Sequence, residues 1–195
     1  MPDERTMQQR TRRGFSIGRP LVHGCMAAAL VAVLLLAGCS QNRFDVTRHE
    51  TVAEQFQFAL EQHQAYHRSP ERLTNQKRLG EIGIAAYQKV LDVFPDETKY
   101  VNRSRLGIAR IQDEEGQDRQ ALAAYEALIQ ECPDDDVVQI NSMYYAGRIL
   151  DSRKDFEAAK DYYRTIVDRY SESEDKTFQH LVRISQMEYR KVRER

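Results

Sequence analysis

The sequence predicts an all-α solenoid of about three helical hairpins closed by a C-terminal capping helix. Three observations carry that expectation: a repeat of fixed length, an apolar stripe of helical spacing inside each repeat, and turn signals between the stripes. The segment Tyr87–Pro95 recurs as Tyr125–Pro133 and again as Tyr163–Ser171, each step being 38 residues. The same step joins the small residues Gly83, Ala121 and Ala159, and joins Leu106 to Tyr144, Arg110 to Arg148, Ile111 to Ile149 and Asp113 to Asp151. A helical hairpin cannot bury its apolar face alone, so a fixed period in the range of about 20 to 50 residues signals stacked units sharing one interior.

The units read, in order, as about 52–95, 96–133 and 134–171, followed by a cap helix over about 174–195. The first opens with a helix from about Val52 to His67. A longer helix then runs from Pro70 to Phe94, with Ser69 as its cap and Pro70 at the first helical position, where a missing N–H costs nothing. In the second unit Asp96 is the expected N-cap of a helix reaching about Asp113. Gly116 makes the turn, and a helix from about Asp118 to Glu131 ends before Pro133. Its stripe is Ala121, Leu122, Tyr125, Leu128 and Ile129, spaced for one face. In the third unit Asp134 to Asp136 open the helix and Arg153-Lys154-Asp155 make the turn. Phe156, Ala159, Tyr163, Ile166 and Val167 are the stripe there. The acidic turn Glu172 to Asp175 starts the last helix, with Phe178, Leu181, Val182 and Met187 as its expected apolar positions, because a repeat stack needs a cap over its final open face. The basic end, Arg190 to Arg195, complements the negative pole of that helix or serves as a docking tail for an acidic partner.

Gly147, Asp155, Phe156, Ala159 and Tyr163 in the third unit, with Gly116, Ala121, Tyr125 and Pro133 in the second, make the chain resemble a tetratricopeptide repeat protein. It departs from that family in its longer period, its lack of tryptophan and Ser171 in place of the closing proline. The resemblance covers about residues 70 to 175. It implies that the first helix of each pair lines a concave groove for peptides or proteins. The groove positions carried over are Arg103, Leu106, Arg110 and Asp113 in the second unit, and Asn141, Tyr144, Arg148 and Asp151 in the third. Arg103, Arg110, Asn141, Tyr144 and Arg148 are the expected binding residues. Two guanidinium forks one repeat apart can hold carboxylates or main-chain carbonyls, with Tyr144 as an aromatic contact. Alternatively, Arg110 and Arg148 pair with Asp113 and Asp151 three residues on and are merely solvated.

Residues 1–38 read as an export signal. Arg5, Arg10, Arg12, Arg13 and Arg19 precede an uncharged stretch from Leu21 to Ala37, which ends in Leu36-Ala37-Gly38-Cys39. Those four residues resemble the lipobox of bacterial lipoproteins. The resemblance implies a diacylglyceryl thioether on Cys39, cleavage before it and acylation of the new amino terminus. Ser40, where an aspartate is the family's usual inner-membrane retention signal, implies the outer membrane of a Gram-negative cell. The other reading is a retained signal-anchor helix, since the stretch approaches the roughly 17 residues needed to span a bilayer. Thr11-Arg12-Arg13-Gly14-Phe15 also looks like a twin-arginine signal, although Ser16 and Ile17 depart from it, so export by either route stays open. Residues 39–51 are then a lipidated end and tether, with Ser40 to Thr51 spanning at most roughly 40 Å.

The whole chain has 29 basic and 30 acidic side chains. Five arginines and two acids, Asp3 and Glu4, lie before Cys39, leaving 24 against 28 in the exported part. A mildly acidic domain argues against nucleic acid or an anionic lipid surface as partner. With Cys25 removed and Cys39 lipidated, Cys132 stands alone and no internal disulfide can form. It reads as a small apolar residue at a helix end, or else as a site of intermolecular pairing. His63 and His67 have metal-capable spacing on one helix, but no third ligand is evident in sequence, so they are expected to face water without metal. Asp134-Asp135-Asp136 lacks calcium-loop spacing and reads as a helix start. No phosphate loop, nucleophile elbow or paired-cysteine motif occurs.

These observations predict a non-enzymatic, membrane-anchored periplasmic scaffold that binds other envelope proteins, without cofactor beyond the lipid on Cys39. Among tetratricopeptide lipoproteins it is similar to the BamD-like and pilotin-like kinds, which act in outer-membrane protein and secretin assembly. The alternatives are an enzyme or regulatory subunit acting on peptidoglycan, and a self-associating structural subunit that forms a homo-oligomer.

Overall fold

The computed structural model describes residues 48–68 and 74–194. The signal segment, Cys39, most of the tether, and the Ser69-Pro70 helix start lie outside the described residues. Seven helices follow one another there: α1 (Val52–Arg68), α2 (Thr74–Val93), α3 (Thr98–Glu114), α4 (Asp118–Glu131), α5 (Asp136–Ser152), α6 (Phe156–Tyr170) and α7 (Lys176–Arg193). No strand occurs among the described residues, and the fold is the expected all-α solenoid of hairpins. Among them no helix is long and apolar enough to cross a membrane.

The ends of these helices follow from local chemistry. Asp135 caps α5 by accepting from Val138 N at 3.2 Å, and Asp155 caps α6 from Ala158 N at 3.4 Å. Asp175 caps α7 from Thr177 N at 2.7 Å and Phe178 N at 3.3 Å. Each satisfies donors that a helix start leaves open. The expected cap at Asp96 is not realised. Asp96 sits in the turn that closes α2, with Thr98 N donating to its carbonyl at 3.0 Å, and Glu97 takes the cap position without a side-chain bond. The tight turns inside the second and third hairpins are superimposable in their bonding. Gln117 N donates to Gln112 O at 2.8 Å, and Asp155 N donates to Leu150 O at 2.9 Å, 38 residues on. This wide loop closure puts one residue in the left-handed region, Gly116 at φ +75° and Lys154 at φ +65°.

Each helix packs on the next, and α1 also packs on α3, α3 on α5 and α5 on α7. The second helices α2, α4 and α6 do not pack on one another. The first-position helices are therefore the layer through which successive hairpins meet. Small residues are buried in that layer. Ser104 and Ser142, again 38 apart, are fully buried, as are Ala109 and Ala146. Tyr87, Tyr125 and Tyr163 from the second helices fill the spaces between layers and are almost wholly buried. A methyl group at Gly107 would overlap the Tyr87 ring, and one at Gly147 would meet Tyr163 Cε1 at 2.9 Å.

The interior is continuous because single helices serve two clusters. Helix α3 gives Ile111 to the first-hairpin core around Ala59, Ala86 and Tyr87, and gives Leu106 and Ala109 to the next around Tyr125 and Leu128. Gln139, 1 % exposed, joins repeats with polar bonds. Its Nε2 donates to Ile129 O at 2.7 Å and Cys132 O at 3.0 Å, meeting carbonyls left open at the end of α4, while Arg169 donates to its Oε1 at 3.3 Å. Helix α7 occupies the place of a fourth first-position helix. Its buried stripe is Leu181, Val182, Ser185 and Val192, with Phe178 partly covered. Met187, expected in that stripe, is 47 % exposed, because it falls about 200° around the helix from Ser185.

The paired turns yield a symmetric expectation. Gly116→Ala should lower stability by about 1 kcal/mol, since nothing crowds that position and only the left-handed backbone opposes a side chain. Lys154→Gly should raise it by roughly 0.5 to 1 kcal/mol for the converse reason. Thermal or urea unfolding of the two variants measures both.

Candidate functional site

On the face of the first-position helices, the expected binding residues separate into two places. Arg103, near the start of α3, lies in a cleft of about 550 Å³ between the beginnings of α3 and α5, lined by Thr98, Asn102, Glu131 and Asp135 among others. Its Nε stands 3.9 Å from Asp135 Oδ2, and no hydrogen bond reaches that nitrogen. Asn141, one turn into α5, donates one of its two amide N–H groups to Val137 O of its own helix at 2.7 Å. Leu106 is buried and belongs to the core rather than to a groove.

Further along the same helices, Arg110, Tyr145 and Arg148 form one unit. The Arg110 guanidinium carbon is 5.1 Å from the centre of the Tyr145 ring, and that of Arg148 is 5.7 Å from it. One aromatic ring thus orients two cations from successive repeats, an attraction worth about 0.5 to 1 kcal/mol each at exposed sites. Tyr145 lies back on Tyr125, the rings stacked at 5.7 Å and 20°. Tyr145 is the repeat equivalent of Gly107. Where the second unit has no side chain and lets Tyr87 press against the backbone, the third carries a ring that covers Tyr125 and projects to the arginines. The sequence reading missed it, although the 38-residue step that aligned Arg110 with Arg148 also aligns Gly107 with Tyr145. Tyr144, named in its place, is half-buried. Its ring meets Tyr145 at 5.2 Å and Tyr163 at 6.4 Å, and burial pushes its phenol up.

For Arg110 the ion pairing differs from the expected spacing of three. Arg110 Nη2 stands 3.6 Å from Glu114 Oε1, one residue beyond Asp113. Asp113 is half-buried, and burial raises its carboxyl above the ordinary range, while the Arg148 guanidinium of the next repeat pulls it back. The outer turn of α3 also gathers the two histidines of α1. His63 is 5 % exposed, contrary to the expectation that it faces water, because α1 packs against both α2 and α3. Its Nε2 lies 3.1 Å from Glu114 Oε2, and His67 Nε2 lies 3.4 Å from Glu114 Oε1. Cys132 caps the end of α4, buried, and burial pushes its thiol up, which disfavours the reactive thiolate.

Asp113 gives a pH-dependent prediction. A carboxyl whose folded-state pKa is raised opposes folding once pH exceeds its unfolded value near 3.8, and the opposition is complete above the raised pKa. Asp113→Asn should therefore increase stability at pH 7, with the gain growing as pH rises through the carboxylate range. Unfolding curves of both proteins between pH 3 and 7 check this. No curated protein and no solved structure matches the chain. Two segments, 103–135 and 141–173, match the family described as Tetratricopeptide repeat, so the chain carries such repeats where α3 to α6 form the second and third hairpins.

Proposed function

We propose that this chain is a lipid-anchored adaptor of a Gram-negative envelope, which holds a protein segment along the face formed by α1, α3, α5 and α7. Tetratricopeptide repeats are protein-interaction modules, and the observation that carries the reading is the pair Arg110 and Arg148, both held against Tyr145. Both guanidinium groups are part of the same face, one repeat apart, and ring contact limits the freedom each would lose on binding. Planar forks held in this way suit carboxylates and main-chain carbonyls, which points to an extended, acidic or carbonyl-presenting segment of the partner. Arg103 lies apart from them, near the start of α3 and 3.9 Å from Asp135.

Support for the anchor is the Leu36-Ala37-Gly38-Cys39 box behind its uncharged stretch and arginine-bearing head. Two or three acyl chains on one residue hold a protein at a bilayer where a single chain is marginal, each buried methylene contributing about 0.8 kcal/mol. A tether of at most roughly 40 Å keeps the repeat face close to that leaflet. The partner is accordingly another envelope protein, as in outer-membrane protein or secretin assembly, and the chain acts by binding rather than by catalysis. Fold alone does not choose among those assemblies.

Two outcomes test this. Arg148→Glu, at an exposed position, should cost no more than about 1 to 2 kcal/mol, from the lost ring contact and the lost attraction to Asp113, and leave the protein folded, yet abolish recovery of a defined partner when the natively anchored protein is purified from solubilised envelopes. Retained recovery would refute the groove assignment. Cys39→Ala should move the protein from the membrane fraction to the soluble fraction, as followed by fractionation and immunoblotting. A variant that stays with the membrane would refute lipid anchoring.

A further inference from the structure

We propose that His63, His67 and Glu114 form a zinc-binding site that staples the first hairpin to the second repeat. The site stands on side-chain geometry and is independent of the groove reading. His63 and His67 are one turn apart at the end of α1, their rings stacked at 5.0 Å and 21°. Glu114 is the last residue of α3, 51 positions beyond His63, and α1 packs on α3. One ligand atom from each of the three residues lies within 4.8 Å of the others.

The distances suit a tetrahedral ion. Zinc bonded at about 2.0 to 2.1 Å has ligand atoms separated by about 3.3 Å, and Glu114 brings one oxygen, Oε2, to 3.1 Å from His63 Nε2 and the other, Oε1, to 3.4 Å from His67 Nε2, so its carboxylate stands at ligand spacing from both imidazoles. Two imidazoles and a carboxylate are borderline donors suited to zinc, and three protein ligands leave a fourth position for water. The surroundings match what holds such ligands in place. His63 Nδ1 is 3.3 Å from the Tyr87 hydroxyl, which can accept its N–H and leave the Nε2 lone pair for the metal. On the carboxylate side, Arg110 at 3.6 Å neutralises and orients Glu114 from a place fixed by Tyr145. One face of the cluster is buried at His63 and the other is open at His67, whose side chain is 47 % exposed, which gives the ion an entry path.

The consequence is structural. An ion bridging the ends of α1 and α3 binds only the packed arrangement, so it shifts the folded-to-unfolded ratio about 100-fold when free zinc is 100 times its dissociation constant. Helix α1 begins the described stack and has no earlier repeat beside it among the described residues, so a bridge there secures the end of the array.

The test uses the full chain without a histidine tag, purified in detergent, stripped with chelator and titrated with zinc chloride by calorimetry. Binding of one equivalent with a rise in unfolding temperature is expected. His67→Gln and Glu114→Gln, both near the surface, should each weaken it at least ten-fold while circular dichroism stays unchanged. Cobalt substitution should give visible tetrahedral bands without thiolate charge transfer. Absence of saturable binding, a loss below ten-fold in either variant, or a thiolate band that places the metal on the cysteines would overturn the site.

Discussion

Close approach of the first-position helices governs the rest of this structure. Helices α1, α3, α5 and α7 pack in succession, and α3 and α5 carry the small residues Ser104, Ala109, Ser142 and Ala146 at fully buried positions. The volume excluded from that layer is supplied from behind by Tyr87, Tyr125 and Tyr163, three large rings on helices that do not touch one another. Polar groups that the first helices carry are thereby brought within a few ångströms of those of the next repeat.

Convergence of charge from successive repeats follows directly. Arg110 and Arg148 belong to different hairpins and meet at one ring, while Glu114 of the second hairpin meets two histidines of the first. The third repeat differs from the second at the decisive position, where Tyr145 replaces Gly107. With glycine, the neighbouring tyrosine of the second-helix layer is pressed to the backbone. With tyrosine, the stack extends outward and gives the arginines a surface. A single substitution between otherwise equivalent repeats thus distinguishes a purely structural contact from a candidate recognition element.

Glu114 links the two places described on this face. It lies 3.1 Å from His63 Nε2 in the interior, approaches His67 at the surface, and faces Arg110, which Tyr145 holds. Its position at the last turn of α3 puts both carboxylate oxygens clear of the helix backbone and free to serve two directions. The polar bonds of Gln139 perform a comparable task at the opposite end of the hairpins, where they join the close of α4 to α6. Repeats are therefore tied at both ends as well as along the apolar interior.

Much of the helical order was legible in the sequence because it is local. The 38-residue step, the turns at Gly116 and Lys154, the caps at Asp135 and Asp155, and the stripes around Tyr125 and Tyr163 all depend on residues within one or two helical turns of one another. Asp96 failed as a cap and Met187 as a core residue for equally local reasons, a turn that shifted the helix start and a phase error of about 200°. The site was less legible. The family resemblance put Arg103, Arg110 and Arg148 on first-position helices, but Tyr145 as the common support of Arg110 and Arg148, the burial of His63 and the approach of Glu114 across 51 residues could not be read from it. Those depend on how far one hairpin is displaced and rotated against the next, and that is settled by the fit of small residues against tyrosine rings, a property of the packed stack that no single helix contains.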